Sequence, residues 1–243
     1  MAARAEFLER IRREVAKTPG LFGASTAPRP AEPAGAAEAI RRELAERWPE
    51  ALERFRQEFE RVAGVFHRAP DLDAVPEVIG SIAREHGVRS LVTWDPAVLG
   101  FDAAPRLTAL GCSVSAARAG QEDEASRLRH RADAAGAQLG VTGADFVLAE
   151  TGTLILLSGA GRPRSTSLLP DVHVAVFGRD RLLESLEQVG VMLEDLHVDP
   201  ERAMSGAMIN FITGPSRTAD IELTLTRGVH GPKEVHAVFV EAP

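Results

Sequence analysis

From Asp71 onward, apolar residues recur by turns at helical spacing and in short β-type runs, and this alternation restricts the fold more than any other feature of the chain. Leu72–His86 reads as helix and Ser90–Trp94 as strand; Pro105–Leu110 and Cys112–Ser115 repeat that pair, and Glu122–Ala135 is a further helix. Asp145–Ala149 and Leu154–Leu157 are compact apolar runs around Glu150, Thr151, Gly152 and Thr153. Val172–Phe177 follows as a strand, Leu182–Met192 and Glu201–Phe211 as helices, and Val235–Val240 as a terminal strand after a polar loop. Met204, Met208 and Phe211 read as core. Such alternation implies a layered α/β domain, because each amphipathic helix must bury its apolar face on a sheet.

Upstream the pattern differs. In Ala36–Arg68, Ile40 and Leu44 lie on one stripe and Leu52, Phe55, Phe59 and Val62 on another, with Pro49 between them suited to the first position of a new helix. The spacing predicts two consecutive helices forming a helical lobe over 36–68, ahead of an α/β core over 69–243. Thr18–Gly35 carries Pro19, Pro28, Pro30 and Pro33 without apolar periodicity and reads as a linker. It separates off an N-terminal unit, 1–35, whose stripe of Phe7, Leu8, Ile11 and Val15 is too short to be helical alone. That stripe reads as a docking element, either for a second copy in a homo-oligomer or for a partner.

Composition removes several classes. With 44% hydrophobic and 26% charged residues over 243 positions, the chain is an ordinary globular protein able to bury about 70% of its unfolded surface. Its net charge of −7 opposes general attraction to nucleic acid or anionic lipid, though a local basic groove remains compatible with it. A single cysteine, Cys112, allows neither an internal disulfide nor an iron–sulfur cluster or structural zinc site, so no metal is expected in this chain. No apolar run is long enough for membrane insertion, and the charged N-terminus lacks a signal-peptide core, which makes the cytoplasm the expected location.

The familiar catalytic motifs are missing, and no catalytic residue is nominated. Gly159-Ala160-Gly161 begins like a dinucleotide loop but runs into Arg162-Pro163 without a third glycine. The Arg127–Arg131 charges read as a solvated helix face. Two polar patches stand out instead. Glu150, Thr151, Gly152 and Thr153 place a carboxylate and two hydroxyls at a strand end, where open sheets bind ligands; they equally form a hydrogen-bonded turn. Gly214, Ser216, Arg217, Thr218, Asp220 and Glu222, closed by His230, combine a fixed loop with donors suited to a carboxylate or phosphate. The plain alternative is that Arg217 pairs with Asp220 or Glu222 and only pins the loop. His173 and His236 alternate with valines in strands, where a hydrogen-bonded strand histidine is the commoner reading, and His173 joins the candidate ligand-binding set.

At these patches the sequence resembles the lactate utilization protein C family, whose shared unit is the LUD domain. The matching residues are Gly143-Ala144-Asp145-Phe146 with Ala149-Glu150-Thr151-Gly152-Thr153, Pro170 with His173, and Gly214-Pro215-Ser216-Arg217-Thr218-Ala219-Asp220-Ile221-Glu222 with Gly228-Val229-His230-Gly231-Pro232. The resemblance implies a three-layer α/β/α sandwich related to ribose-5-phosphate isomerase, CoA transferase and 5-formyltetrahydrofolate cyclo-ligase, here with an N-terminal helical extension. It also implies a part in oxidising L-lactate to pyruvate beside two partner proteins, one cysteine-rich and one carrying a ferredoxin-like iron–sulfur segment, with this chain the cluster-free member. A small-carboxylate site at the two loops is the reading of the residues themselves. The alternatives are an isomerase-, CoA-transferase- or cyclo-ligase-like enzyme on a phosphorylated or CoA-linked substrate, and a scaffold whose polar loops are structural.

Overall fold

The computed structural model describes residues 2–17, 32–120, 123–198, 208–221, 224–227 and 230–242. The chain divides into two compact units, Met1–Glu32 and Pro33–Pro243. The first contains helix α1 (Ala2–Ala16), on which Phe7, Leu8 and Ile11 are exposed.

The second unit opens with α2 (Pro33–Arg61), one unbroken helix where two were expected. An interior proline costs about 3 kcal/mol or more, because it removes a hydrogen bond and crowds the preceding turn. Burial offsets that cost: Leu44, Ala51, Leu52, Phe55 and Phe59, with Trp48 partly buried among them, pack as one stripe on both sides of Pro49 into a single apolar cluster. Phe55 stacks on Phe59 at 5.2 Å and meets Phe177 edge-on at 5.4 Å. The expected lobe is corrected with it: 65–68 are not helical but belong to β1 (Val65–Ala69), a strand of the main sheet.

After β1 come α3 (Val75–Glu85), β2 (Ser90–Thr93), α4 (Pro96–Leu99), α5 (Ala104–Ala109), β3 (Ser113–Ala116), α6 (Glu124–Gly136) and β4 (Leu139–Gly143). The chain continues through β5 (Phe146–Leu148), β6 (Thr153–Leu157), α7 (Ser165–Leu168), β7 (Val172–Gly178), β8 (Leu182–Leu183) and α8 (Leu186–Val198). It ends with β9 (Ile209–Ile212), β10 (Arg217–Ile221), β11 (Thr224–Arg227) and β12 (Glu234–Val240). Six strands form an all-parallel sheet in the order β1-β12-β7-β4-β2-β3. Alternate residues of its strands feed two cores: Val172, Val174, Val176, Val238 and Val240 meet α3 and α5, while Ala175, Phe177, Ala237 and Phe239 meet α2 and a second sheet. That second sheet, β8-β5-β6-β9, adds a layer that the alternating pattern did not reveal.

The C-terminal third departs furthest from the sequence reading. Residues 201–207 lie outside the described residues, but 209–211 are strand, not helix: Ile209–Ile212 pairs antiparallel with β6. Met208 and Phe211, expected in the core, are 43% and 49% exposed: Met208 precedes β9, and Phe211 lies on the outward face of this edge strand. The stretch read as a polar loop contains an antiparallel pair, β10 with β11. The expected Leu182–Met192 helix begins only at Leu186; Leu182–Leu183 joins β5 as a strand, and Ser185 Oγ accepts the Gln188 amide at the start of α8.

Candidate functional site

In a parallel sheet, ligands gather at the carboxyl ends of strands where successive connections run to opposite sides. Here that place is β2. It pairs with β3 on one side and β4 on the other; α5, which leads into β3, packs on one face of the sheet, while α6, which leads into β4, buries Ala134, with Ala137 just beyond the helix, against Val92 on the other. A cleft of about 500 Å³ opens there, lined by Ser115–Arg118, by residues of α6, and by the loop Ser158–Ser165.

The cleft's chemistry is guanidinium. Arg118, Arg127, Arg129, Arg131, Arg162 and Arg164 all line it, with His130 between them. Arg118 reaches Asp95 at 3.5 Å and Arg162 holds Asp145 at 2.6 Å, while Arg129 donates to Ser126 Oγ at 2.8 Å. Asp133 also lines the cleft, but its carboxylate accepts from Ser115 Oγ at 2.7 Å. Arg127, Arg131 and Arg164 pair with no carboxylate among the described residues. Guanidiniums turned into a concavity with no partner are suited to incoming oxyanions, which they bind with two parallel hydrogen bonds each.

Asp95 organises the rim. Its carboxylate accepts from Ala119 N at 2.7 Å and Ala97 N at 3.0 Å, capping α4, while its own amide donates to Gly161 O at 2.9 Å. One buried residue thereby ties together the turns after β2 and β3 through its side chain and the turn before α7 through its amide. The Ala119 amide, with the Ala97 amide and Arg118, holds the Asp95 carboxyl below its ordinary range despite burial. His130 Nε2 lies 3.0 Å from Thr166 Oγ1, and partial burial lowers its imidazole, favouring the neutral form.

A second cleft, of about 720 Å³, lies beyond β4 and β7, between α2, α8 and the second sheet. It is floored by Leu44, Phe146, Leu157, Leu182 and Met192 and rimmed by Arg41, Arg179 and Arg181. The two clefts share Arg162, which lies over the Trp94 ring at 5.8 Å. Its partner Asp145 accepts from Leu157 N at 2.7 Å; burial pushes that carboxyl up and Arg162 opposes the shift. The larger cleft carries one guanidinium, Arg179, that pairs with no carboxylate among the described residues, whereas the smaller one gathers three, Arg127, Arg131 and Arg164.

Among the described residues, none of the site residues read from the sequence lines either cleft. Glu150 Oε1 instead accepts the Leu186 amide at 2.7 Å, placing a carboxylate at the N-terminus of α8. Thr151, Thr153 and Thr213 form a chain of hydroxyls, with separations of 2.7 and 2.8 Å. Gly152 sits at φ +62°, and a Cβ there would fall on the Phe59 amide and within 2.6 Å of the Glu58 carbonyl carbon; one at Gly214, φ +77°, would run into Val62 O. The two motif loops do meet, and what they clasp is the C-terminal end of α2. Ser216 N donates to Pro232 O at 2.9 Å, and Ser216 Oγ accepts from His230 N at 3.4 Å, closing the second loop on itself. The side chains of Arg217, Thr218 and Asp220, and the whole of Glu222, lie outside the described residues. His173 is fully enclosed with Nε2 2.8 Å from Thr142 Oγ1, and burial lowers its imidazole to about 3. The cleft's own signal was present in the sequence as Gly159–Gly161 followed by Arg162 and Arg164.

The fully parallel sheet layered between helices, with both clefts at its carboxyl edge, defines the molecule as an α/β sandwich. A crystal structure of a DUF162 family protein from Deinococcus radiodurans shares this fold, with a TM-score of 0.51 at 18% identity, covering 79% of this chain and 98% of that one. The sequence pattern of the LUD domain matches residues 52–240. Lactate utilization protein C of Halalkalibacterium halodurans is 36% identical over 178 residues, 70% of each chain. The protein of the same name from Macrococcus caseolyticus is 31% identical over 173 residues, 70% of this chain and 69% of that one. The chain belongs to the LUD domain family.

Proposed function

We propose that the protein acts in the utilization of L-lactate, as the cluster-free member of an iron–sulfur system that oxidises lactate to pyruvate, and that the arginine-lined cleft is its anion site. The relatives' shared name supports the pathway, and the unpaired Arg127, Arg131 and Arg164 at the sheet's carboxyl edge support the site. Electron transfer then belongs to cysteine-rich and ferredoxin-like partner proteins in the cytoplasm. Cys112, the chain's one cysteine, is buried with its Sγ–H donated to Val88 O at 3.2 Å, so it is no accessible cluster ligand.

A second reading is favoured by the cleft's size. About 500 Å³ with six guanidiniums exceeds what a three-carbon acid needs and suits a ligand with several phosphate oxygens. Calorimetric titration of L-lactate, pyruvate, inorganic phosphate and coenzyme A against the protein and its Arg131→Ala/Arg164→Ala variant separates the two. Carboxylate binding lost in the variant, with growth on L-lactate abolished by gene deletion and restored only by the unaltered gene, is the expected result. Coenzyme A or phosphate binding with undiminished growth of the deletion strain on lactate would establish the second reading instead. Binding unaffected in the variant would remove the cleft from both.

A further inference from the structure

On the opposite side of the sheet from the clefts, at the amino end of β12, three donors converge that composition gave no reason to connect. His86 caps the C-terminus of α3, and Glu234 and His236 are the first and third residues of β12, so that His86 Nε2, a Glu234 carboxylate oxygen and a His236 nitrogen all lie within 4.8 Å of one another. Glu234 Oε2 is 3.5 Å from His86 Nε2 and 3.7 Å from His236 Nε2. Those spacings are long for hydrogen bonds. They are close to the ~3.4 Å that separates two ligands of a tetrahedral ion with bonds of about 2.0–2.1 Å.

The decisive atom is His236 Nε2. The residue is 3% exposed, and this nitrogen is buried with no hydrogen-bond partner. Buried polar atoms in folded proteins nearly always have a partner, so an orphan aimed at a carboxylate and a second imidazole asks what fills the space between. The other ring nitrogen is already engaged: His236 Nδ1 lies 2.9 Å from His67 Nε2 on β1, the two rings stacked at 5.2 Å. A hydrogen bond to the far nitrogen is how metal-binding histidines have their tautomer and ring plane fixed. His86 and Glu234 are partly exposed, giving an ion a path from solvent.

We propose that His86, Glu234 and His236 form a site for a divalent transition-metal ion of the zinc type, with His67 positioning His236 and the fourth coordination place left open to water or a small ligand. Two imidazoles and a carboxylate are a donor set that zinc and cobalt(II) take readily and that calcium or magnesium, which prefer all-oxygen shells, does not. The ion would fasten the end of α3 to β12 and, through His67, to β1. The proposal departs from the expectation of a metal-free chain, which rested on the cysteine count. His173 and His230 do not take part: the first is enclosed on the other face of the sheet and the second closes the Ser216 loop.

The test uses the full-length protein without an affinity tag, stripped of metal by chelator and dialysed against Zn²⁺ or titrated with Co²⁺. One ion per chain, the intense visible bands of four-coordinate Co²⁺, and a raised Tm are expected. His86→Ala and Glu234→Gln, both at partly exposed positions, should each weaken binding tenfold or more, and His67→Ala about tenfold. His197→Ala, an exposed histidine on α8, should change nothing. Binding below one ion per chain, or stoichiometric binding that His86→Ala and Glu234→Gln leave intact, would overturn the proposal, as would a Co²⁺ spectrum of six-coordinate type unchanged in those variants.

Discussion

The junction at the end of α2 and the cleft beyond β2 make an instructive pair. The junction draws on the most distinctive sequence in the chain, yet its Gly152, Thr153, Thr213 and Gly214 are spent on close packing: glycines where the backbone of α2 leaves no room for a Cβ, and hydroxyls that bond one another. The cleft is built from arginines on a helix face and a short glycine loop that stand out little in the sequence, yet among the described residues it is the cleft that presents guanidiniums without a carboxylate partner. A tight backbone approach dictates residue identity as strictly as catalysis does, so a distinctive motif is not by itself a site.

The largest expected effect falls on the junction. Gly152→Ala adds a Cβ at positive φ onto the Phe59 backbone, so stability to chemical denaturation should drop by roughly 3 kcal/mol or more and Tm by roughly 6–12 °C. Anion affinity of the folded fraction should be unchanged; a well-folded variant that lost anion binding would instead make the junction part of the site.

Acid separates the two regions next. His173 and His236 are buried and lowered to about 3 and about 4. The unfolded chain therefore binds protons that the fold does not, and the stability these groups contribute is complete above about pH 6.5 and lost as pH falls towards their folded values. At about pH 5 the loss should be roughly 2 kcal/mol for each, by denaturant unfolding. Affinity for anions, carried by guanidiniums, should not fall in parallel. A stability curve flat from pH 7 to about pH 5 would contradict the burial assigned to these histidines.

Asp95→Asn should cost about 1–2 kcal/mol, since it removes a charge-assisted acceptor for the Ala119 and Ala97 amides. Because the folded carboxyl is lowered, its contribution is present above about pH 4 and vanishes below the folded value, so the variant should differ least from the parent in strong acid. It should also weaken anion binding by loosening the rim of the cleft; unchanged affinity would show that the three turns hold without Asp95. The smallest stability effect is expected for Arg131→Ala and Arg164→Ala, within about 0.5 kcal/mol, beside a roughly tenfold loss of oxyanion affinity for each. A stability loss of several kcal/mol there would reclassify these arginines as part of the packing.

Much of the layered core was legible because its helices and central strands are simply periodic: α3 with Ile79 and Ile82, β2, β3 and β7 all lie where the apolar spacing put them. What escaped had specific causes. β4 reads Leu-Gly-Val-Thr-Gly, poor in strand-forming residues, because α7 crosses so closely that a Cβ at Gly140 would fall on the Thr166 carbonyl oxygen. Pro49 was given its local preference, which long-range burial of Leu44, Leu52 and Phe55 overrides. The cleft and the histidine cluster were illegible for one shared reason. Their members lie far apart in the chain, positions 95, 118, 131 and 164 in one and 67, 86, 234 and 236 in the other, and only the sheet order brings them together.

That sheet order also has a consequence for biosynthesis. β12 lies between β1 and β7 and pairs with both, residue 65 opposite residue 236. A ribosome making this chain releases β1 early and the strand that joins it to the sheet late. Until then one edge of β7, with its run of valines, has no neighbour to cover it, and such an edge invites pairing with other chains. Vectorial synthesis thus exposes the domain to aggregation through about the last quarter of its translation, and a chain that stopped short of Glu234 would keep that exposure permanently.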